Sequence, residues 1–262
     1  MIKKLNELST KTPEANDVVY IVDENGLTDG KVELQDITVI PETSRTINLN
    51  NSMTASDIIT EINSIGRYLP EGVVITIKFA DGTYTLDQQI VISGFYGGGR
   101  VNMHGNTSES ASLHTNQAVH LNWTGSGSHG LYVIANTNPD WTFQYLKITT
   151  DDGYTGLICQ RMRYCFVGYS YFVSTGKTSS ETRGVYIINE ATAQVTNNYF
   201  TGQYYAIEAR DEAHIYSTIN DDTGTQPNYG IRAINASTIG KNSTQPSGST
   251  ANELSQNGGI VR

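Results

Sequence analysis

Gly184-Val-Tyr-Ile-Ile-Asn189, then Ala193-Gln-Val195-Thr, then Tyr205-Ala-Ile207-Glu-Ala209, then Ala213-His-Ile215-Tyr: these four short runs decide the fold. Each is too short for one of a pair of packed helices. Each is rich in Val, Ile, Tyr and Thr, which suit a pleated surface. Working outward, Gly130-Leu-Tyr-Val-Ile-Ala, Gly156-Leu-Ile-Cys and Gly230-Ile-Arg-Ala-Ile-Asn match the first kind of run. Cys165-Phe-Val-Gly and Ser237-Thr-Ile-Gly match the second. The unit recurs every 20 to 28 residues or so, and a solenoid needs such a unit because one coil alone cannot bury its apolar face. Set beneath one another, Val167, Val195, Ile215 and Ile239 form one expected column. Cys159, Ile187 and Ile207 form a second, each eight residues before its partner. Glycines and Asn/Asp/Ser clusters mark the corners. The linking stretches, such as 173–180 and 220–228, carry no helical period. The expectation is an all-β, parallel β-solenoid, with an antiparallel sandwich as the alternative.

Composition narrows the partners. Charged residues make up 16% of the 262, hydrophobic ones 37%, and the net charge is −9 with no basic run. That balance argues against nucleic acid or an anionic membrane surface. The opening Met-Ile-Lys-Lys-Leu-Asn-Glu-Leu is too polar for a cleaved signal, and no apolar stretch reaches membrane length. Cys159 and Cys165 sit in apolar runs of one coil and read as buried free thiols, with a disulfide as the alternative. No Cys/His cluster has zinc spacing and the five histidines are scattered, so no metal is expected.

Three segments follow. Residues 1–42 form a small module: Leu5 and Leu8 at helical spacing, then Asp17-Val-Val-Tyr-Ile-Val-Asp as a strand, a turn, and Lys31-Val-Glu-Leu returning. Residues 43–129 hold a capping helix and the first coils. The helix opens at Thr54-Ala-Ser-Asp, runs to about Tyr68 and sets Ile58, Ile59, Ile62 and Ile65 on one face, with Thr54 or Ser56 as its cap. A single apolar stripe suits the open end of a β-helix, whose terminal coil would otherwise expose its core. Residues 130–262 hold about five regular coils, on the order of 25 Å of solenoid.

Phe79-Ala-Asp-Gly-Thr-Tyr-Thr-Leu, Ile90-Val-Ile-Ser-Gly-Phe and Gly97-Gly-Gly-Arg-Val-Asn-Met-His-Gly resemble the opening of pectate-lyase-like right-handed β-helices. Such helices are common in bacteriophage tailspikes and tail fibres. The leading module resembles the virion-anchoring segment at the start of many phage fibre proteins, which places Leu5, Leu8, Val19, Tyr20 and Ile21 as anchoring residues. Tyr229 to Thr250 is similar to coils near the end of such proteins. The resemblance implies a right-handed helix, a homotrimer and no cofactor. It also implies attachment through 1–42 to other tail or baseplate proteins, and a location in the virion after assembly in the host cytoplasm.

Three functions remain open: a non-enzymatic tail fibre or tailspike presenting its β-helix for host-surface recognition, a glycan-degrading tailspike, and a bacterial carbohydrate-binding or adhesion protein. A glycan hydrolase needs two carboxylates about 5 to 9.5 Å apart. Glu190, Glu208, Asp211 and Glu212 are the candidates, with Asp151-Asp152 and Asp221-Asp222 at loops. Glu190 and Glu208 fall in neighbouring coils and are expected to share a groove. Against this, acidic residues at corners solvate turns, and Arg183 and Arg210 stand close enough to form simple ion pairs. Twelve of the 16 tyrosines lie between Tyr132 and Tyr229. Of these, Tyr164, Tyr169, Tyr171, Tyr204 and Tyr205 are candidates for contact with a host glycan or a neighbouring subunit. The short solenoid and the undistinguished carboxylates favour the non-enzymatic tail component.

Overall fold

In the computed structural model, the described residues are 42–108, 117–135 and 139–262, together with the strands Val18–Val22 and Thr28–Glu33. The chain divides into two compact units, Met1–Ile40 and Pro41–Arg262. In the first, Val18–Val22 pairs antiparallel with Thr28–Glu33, so the return strand begins ahead of Lys31. Leu5 and Leu8 lie outside the described residues.

The second unit is a right-handed parallel β-helix. Its strands fall into a nine-stranded, a six-stranded and a seven-stranded sheet, every neighbouring pair in them parallel. One coil visits the three sheets in turn: Cys165–Gly168 lies in the nine-stranded sheet, Tyr171–Ser174 in the six-stranded and Arg183–Ile188 in the seven-stranded. Stacking begins at Arg45–Leu49 and reaches Ile260–Val261. Eight steps of about 4.8 Å give a solenoid of about 38 Å, longer than the repeats after Gly130 alone suggest.

The core is built of columns. Tyr84, Leu121, Ile148, Phe172 and Phe200 succeed one another inside the six-stranded sheet. The rings of Phe172 and Phe200 stack at 5.3 Å. Inside the seven-stranded sheet Ile90, Leu131, Leu157, Val185, Ile207 and Ile231 form one column, and Ile92, Val133, Cys159, Ile187, Ala209 and Ala233 another. Two expected columns are corrected here. Ile207 pairs with Val185 rather than Ile187, and Ile215 with Ala193 rather than Val195. Both shifts are by two residues, and a slip of two keeps every side chain on its own face. Periodicity therefore cannot detect it. Three inward columns end in polar residues: Lys241 follows Ser217, while Glu253 and Ser255 follow Ile231 and Ala233; a fourth ends in Val261 after Ile239.

Helix Ala55–Asn63 covers the first coil. Thr54 caps it through a reciprocal pair of bonds with Asp57, and Ile58 and Ile62 are buried. The helix packs on the Ile90–Ser93 strand. It stops before Tyr68 because the chain there turns extended to pair with Tyr96, Leu69 N–H donating to the Tyr96 carbonyl at 2.9 Å.

Corners are fixed by polar ladders. Asn198 and Asn220, both fully buried, occupy the same corner in successive coils. The Asn198 amide donates to the carbonyls of Val167 and Thr196, each at 3.0 Å, while its oxygen accepts from Ser170 N–H. Buried backbone groups that the bend removes from the sheets are thereby satisfied. Cys159 and Cys165 are free and fully buried, and burial pushes the Cys159 thiol well above its ordinary pKa.

Candidate functional site

The structure separates Glu208 from the other three carboxylates. Glu208 lies on the outer face of the seven-stranded sheet with no exposed surface. Its Oε2 accepts from Arg183 Nε at 3.0 Å and from Arg232 Nη1 at 3.2 Å, while Arg183, 3% exposed, also donates to Glu181 at 2.8 Å. The guanidinium of Arg183 lies 4.4 Å over the Tyr186 ring, and that of Arg232 lies 4.5 Å over Tyr205. The expectation of a weak surface ion pair is thus overturned for Arg183, while Arg210 does form one, with Asp211 at 3.6 Å. Arg183 and Glu208 form a buried pair, because successive coils bring Arg183 and Glu208 diagonally together beneath tyrosine rings. Burial opposes the charge on Arg183, but the carboxylates of Glu208 and Glu181 hold its pKa above the ordinary value.

Glu190 stands elsewhere, at the corner between the seven-stranded and nine-stranded sheets, so it does not share a groove with Glu208. That corner repeats a pair of left-handed residues: Asn189-Glu190 with φ of 55° and 63°, Asp211-Glu212 with 57° and 64°, and Asn235-Ala236 with 54° and 60°. Glu190 N–H donates to the Asp211 carbonyl at 2.9 Å and Glu212 N–H to the Asn235 carbonyl at 3.0 Å, which carries the corner from coil to coil. Asp211 accepts from the Asn235 amide at 2.7 Å. Glu190, Asp211 and Glu212 therefore do come together, around a shallow depression of about 300 Å³ completed by Arg161, Asn189 and Asn235. No aromatic ring lines it, and two of its three carboxylates point to solvent.

Asp151 and Asp152 organise loops. Asp152 accepts from Thr178 N–H at 3.1 Å, Ser179 N–H at 3.1 Å, Thr182 Oγ1 at 2.6 Å and the Thr178 hydroxyl. Desolvation works to raise its pKa, and these hydrogen bonds overcome it and bring the carboxyl down to about 2. Asp151 accepts from Gly125 N–H at 2.6 Å. Asp222 holds Ser247 through its N–H at 2.8 Å and its hydroxyl at 2.6 Å. Among the described residues no cluster of His, Cys, Asp and Glu is arranged to hold a metal ion.

The candidate tyrosines are spread over the solenoid. Tyr164 donates to Gln194 at 3.0 Å beside the nine-stranded sheet, Tyr169 stacks on Tyr145 at a corner, and Tyr171 lies under Lys147 on the six-stranded sheet. Tyr204 and Tyr205 cluster with Tyr229 on the seven-stranded side. Val19, Tyr20 and Ile21 lie in the first strand of the hairpin.

What sequence reading missed is the character of one outer face. Facing outward from successive strands, the seven-stranded sheet carries Val91, Tyr132, Ile158 and Tyr186, and only then Glu208, Arg232 and Leu254. The next outward column alternates polar and apolar: Ser93, Ile134, Gln160, Ile188, Arg210, Ile234 and Gln256. The signal was present, since runs such as Val185-Tyr-Ile-Ile188 lack the polar alternation of a one-sided strand. The corresponding column of the nine-stranded sheet reads Thr76, Asn102, Thr142, Phe166, Gln194 and Tyr216.

No protein-family model matches the chain, and neither a curated protein nor a solved structure does.

Proposed function

We propose that the chain is a structural component of a bacteriophage tail, a fibre or tailspike that joins the virion through residues 1–42 and presents its β-helix for host-surface recognition. The fold is one typical of tail fibres, tailspikes and polysaccharide-binding proteins. The observation that carries the reading is the use made of the carboxylates. Glu208 is locked between two arginines, Asp152 holds a loop and Asp211 a corner, so these three carboxylates serve the scaffold. Three such chains assemble as the working fibre, made in the host cytoplasm and carried in the particle. Neutral host glycan is the fitting surface ligand for a chain of net charge −9.

Deleting residues 1–42 tests this. The β-helix is a compact unit of its own and is expected to fold unchanged, while particles assembled with the truncated chain should lack it. Particles that still carry it would refute the attachment. A glycan-degrading tailspike is the second reading, favoured by the meeting of Glu190, Asp211 and Glu212 around one depression. Glycan release that stops in Glu190→Gln or Glu212→Gln, at unchanged melting temperature, would move the assignment to it.

A further inference from the structure

The two ends of the stack are finished differently. Over the first coil lies the apolar stripe of a helix, Ile58 and Ile62. Among the described residues that helix is the one α-helix, so the last coil has no such cover. There the interior itself changes. Val167 and Val195 are followed at the next inward positions by Ser217 and Lys241. Phe172 and Phe200 are followed by Asp222. Ile207 and Ile231 lead to Glu253, and Ala209 and Ala233 to Ser255. Four inward columns thus turn polar, while Ile215, Ile239 and Val261 continue apolar. We infer that this polar interior is a stopper, which keeps the edge of the last coil from pairing end to end with the last coil of a second copy.

The polar groups are built in. Ser217, with no exposed surface, donates to Gln245 Oε1 at 2.5 Å, and the Gln245 amide donates to the Ser217 and Asn242 carbonyls at 3.0 and 2.9 Å. Asp222 is engaged by Ser247, as above. Lys241, from the nine-stranded sheet, donates to Glu253, from the seven-stranded, so one ion pair spans the mouth of the core. Without these charges the end would invite pairing. Ala251–Gln256 is a six-residue strand at the edge of its sheet, hydrogen-bonded on one side, and Ile260 beside it is 52% exposed. Such an edge is a template for another strand, and an inward-pointing charge is one of the devices that blunts it. The side chains of Lys241 and Glu253 keep 34% and 41% of their surface in water. A strand laid on the edge would remove that hydration, and the attraction within the pair does not repay the loss of water from both ions. Because the helix covers the first coil, the edge that the last coil would otherwise meet is its own equal, the two strands running antiparallel about a two-fold axis. That contact closes into a pair and goes no further. The inference does not rest on the tail-fibre reading.

The test substitutes Lys241→Ile and Glu253→Ile together in the full chain, which continues two apolar columns to the edge. Light scattering over a dilution series should give a mass that rises with concentration to about twice the parent's, whatever multiple of one chain the parent is. Electron micrographs should show particles lengthened along the solenoid axis. His214→Ile with Thr238→Ile sets the same two side chains on the outward face of the nine-stranded sheet and should leave the parent's mass unchanged. A folded Lys241→Ile, Glu253→Ile chain that keeps the parent's mass would overturn the stopper. So would equal association of the outward pair, or particles that broaden instead of lengthening. Lys241→Met with Glu253→Leu, closer in shape to the native pair, carries the same expectation and is read in place of an isoleucine pair that fails to fold. Failure of both pairs to fold would also overturn it, since the ion pair would then serve the coil and not its edge.

Discussion

Glu208→Gln isolates the buried Arg183–Glu208–Arg232 cluster with the smallest change of shape. Glutamine keeps the volume and one acceptor but removes the negative charge. Arg183, 3% exposed, then retains only Glu181, whose side chain is 63% exposed and screened by solvent. Breaking a buried ion pair by removing one partner costs about 3–5 kcal/mol. The lower part of that range applies here, because Glu181 and the Tyr186 ring still face the guanidinium. At roughly 2–4 °C per kcal/mol for a domain of this size, the melting temperature should fall by about 6–12 °C. Far-ultraviolet circular dichroism at fixed protein concentration reads it directly, and urea unfolding supplies the free energy. Replacing Arg183, Glu208 and Arg232 together by Met, Leu and Met should recover most of the loss, since well-packed apolar groups substitute for a buried triad at little cost. A single Glu208→Gln chain within about 1 kcal/mol of the parent would show that the cluster is hydrated and weak.

Other perturbations follow from the same geometry. In Gly230→Ala the new methyl would lie 1.8 Å from the Pro246 carbonyl oxygen and 2.7 Å from that of Asn252, so the variant should lose about 3 kcal/mol or more in urea unfolding; near-parent stability would disprove that close approach. Asp152→Ala frees the Thr178, Ser179 and Thr182 donors and should cost about 1 kcal/mol at neutral pH after screening, with faster tryptic cleavage at Lys177. Because the folded carboxyl titrates at about 2 against an ordinary 3.8, this stabilisation is present above pH 3.8 and disappears as pH falls towards 2. A difference between parent and variant that persists unchanged at the bottom of that window would refute the assignment. His120 is pushed down to about 4 from 6.5 by desolvation and by Lys147, so its ring should be neutral at pH 5.5 and its stabilising contribution should fade as pH drops from 6.5 to 4. A nuclear magnetic resonance titration midpoint near 6.5 would contradict it. Ellman's reagent should find no reactive thiol in the native chain and both after unfolding, given that Cys159 and Cys165 are fully buried.

The solenoid was legible because its signal is collective. Glycine-led apolar runs recur, the eight-residue spacing of Cys159 to Val167 is kept by Ile187 to Val195 and Ile207 to Ile215, and of the expected helix stripe Ile58 and Ile62 are buried, Ile59 is half-buried and Ile65 is buried just past the end of the helix. Lateral register was not legible: sliding Ile207 and Ile215 together by two residues preserves both the spacing and the face. The left-handed pairs Asn189-Glu190 and Asp211-Glu212, bonded backbone to backbone, settle it. The carboxylates were legible as a group but not in their roles. Glu190 and Glu208 are separated because one lies past the strand end and the other within a strand, and the sequence does not mark where Arg210 ends that strand. Arg183 meets Glu208 across 25 residues through coil stacking alone, which no local pattern encodes. The contrast among the three outer faces needs the register of all coils at once.

The mass of the full chain in solution, by light scattering with size separation, tests the central claim most directly. A laterally assembled tail component predicts a single species of about three times the 28.7 kDa chain, unchanged on dilution. A species at 28.7 kDa over the same concentrations would contradict the fibre.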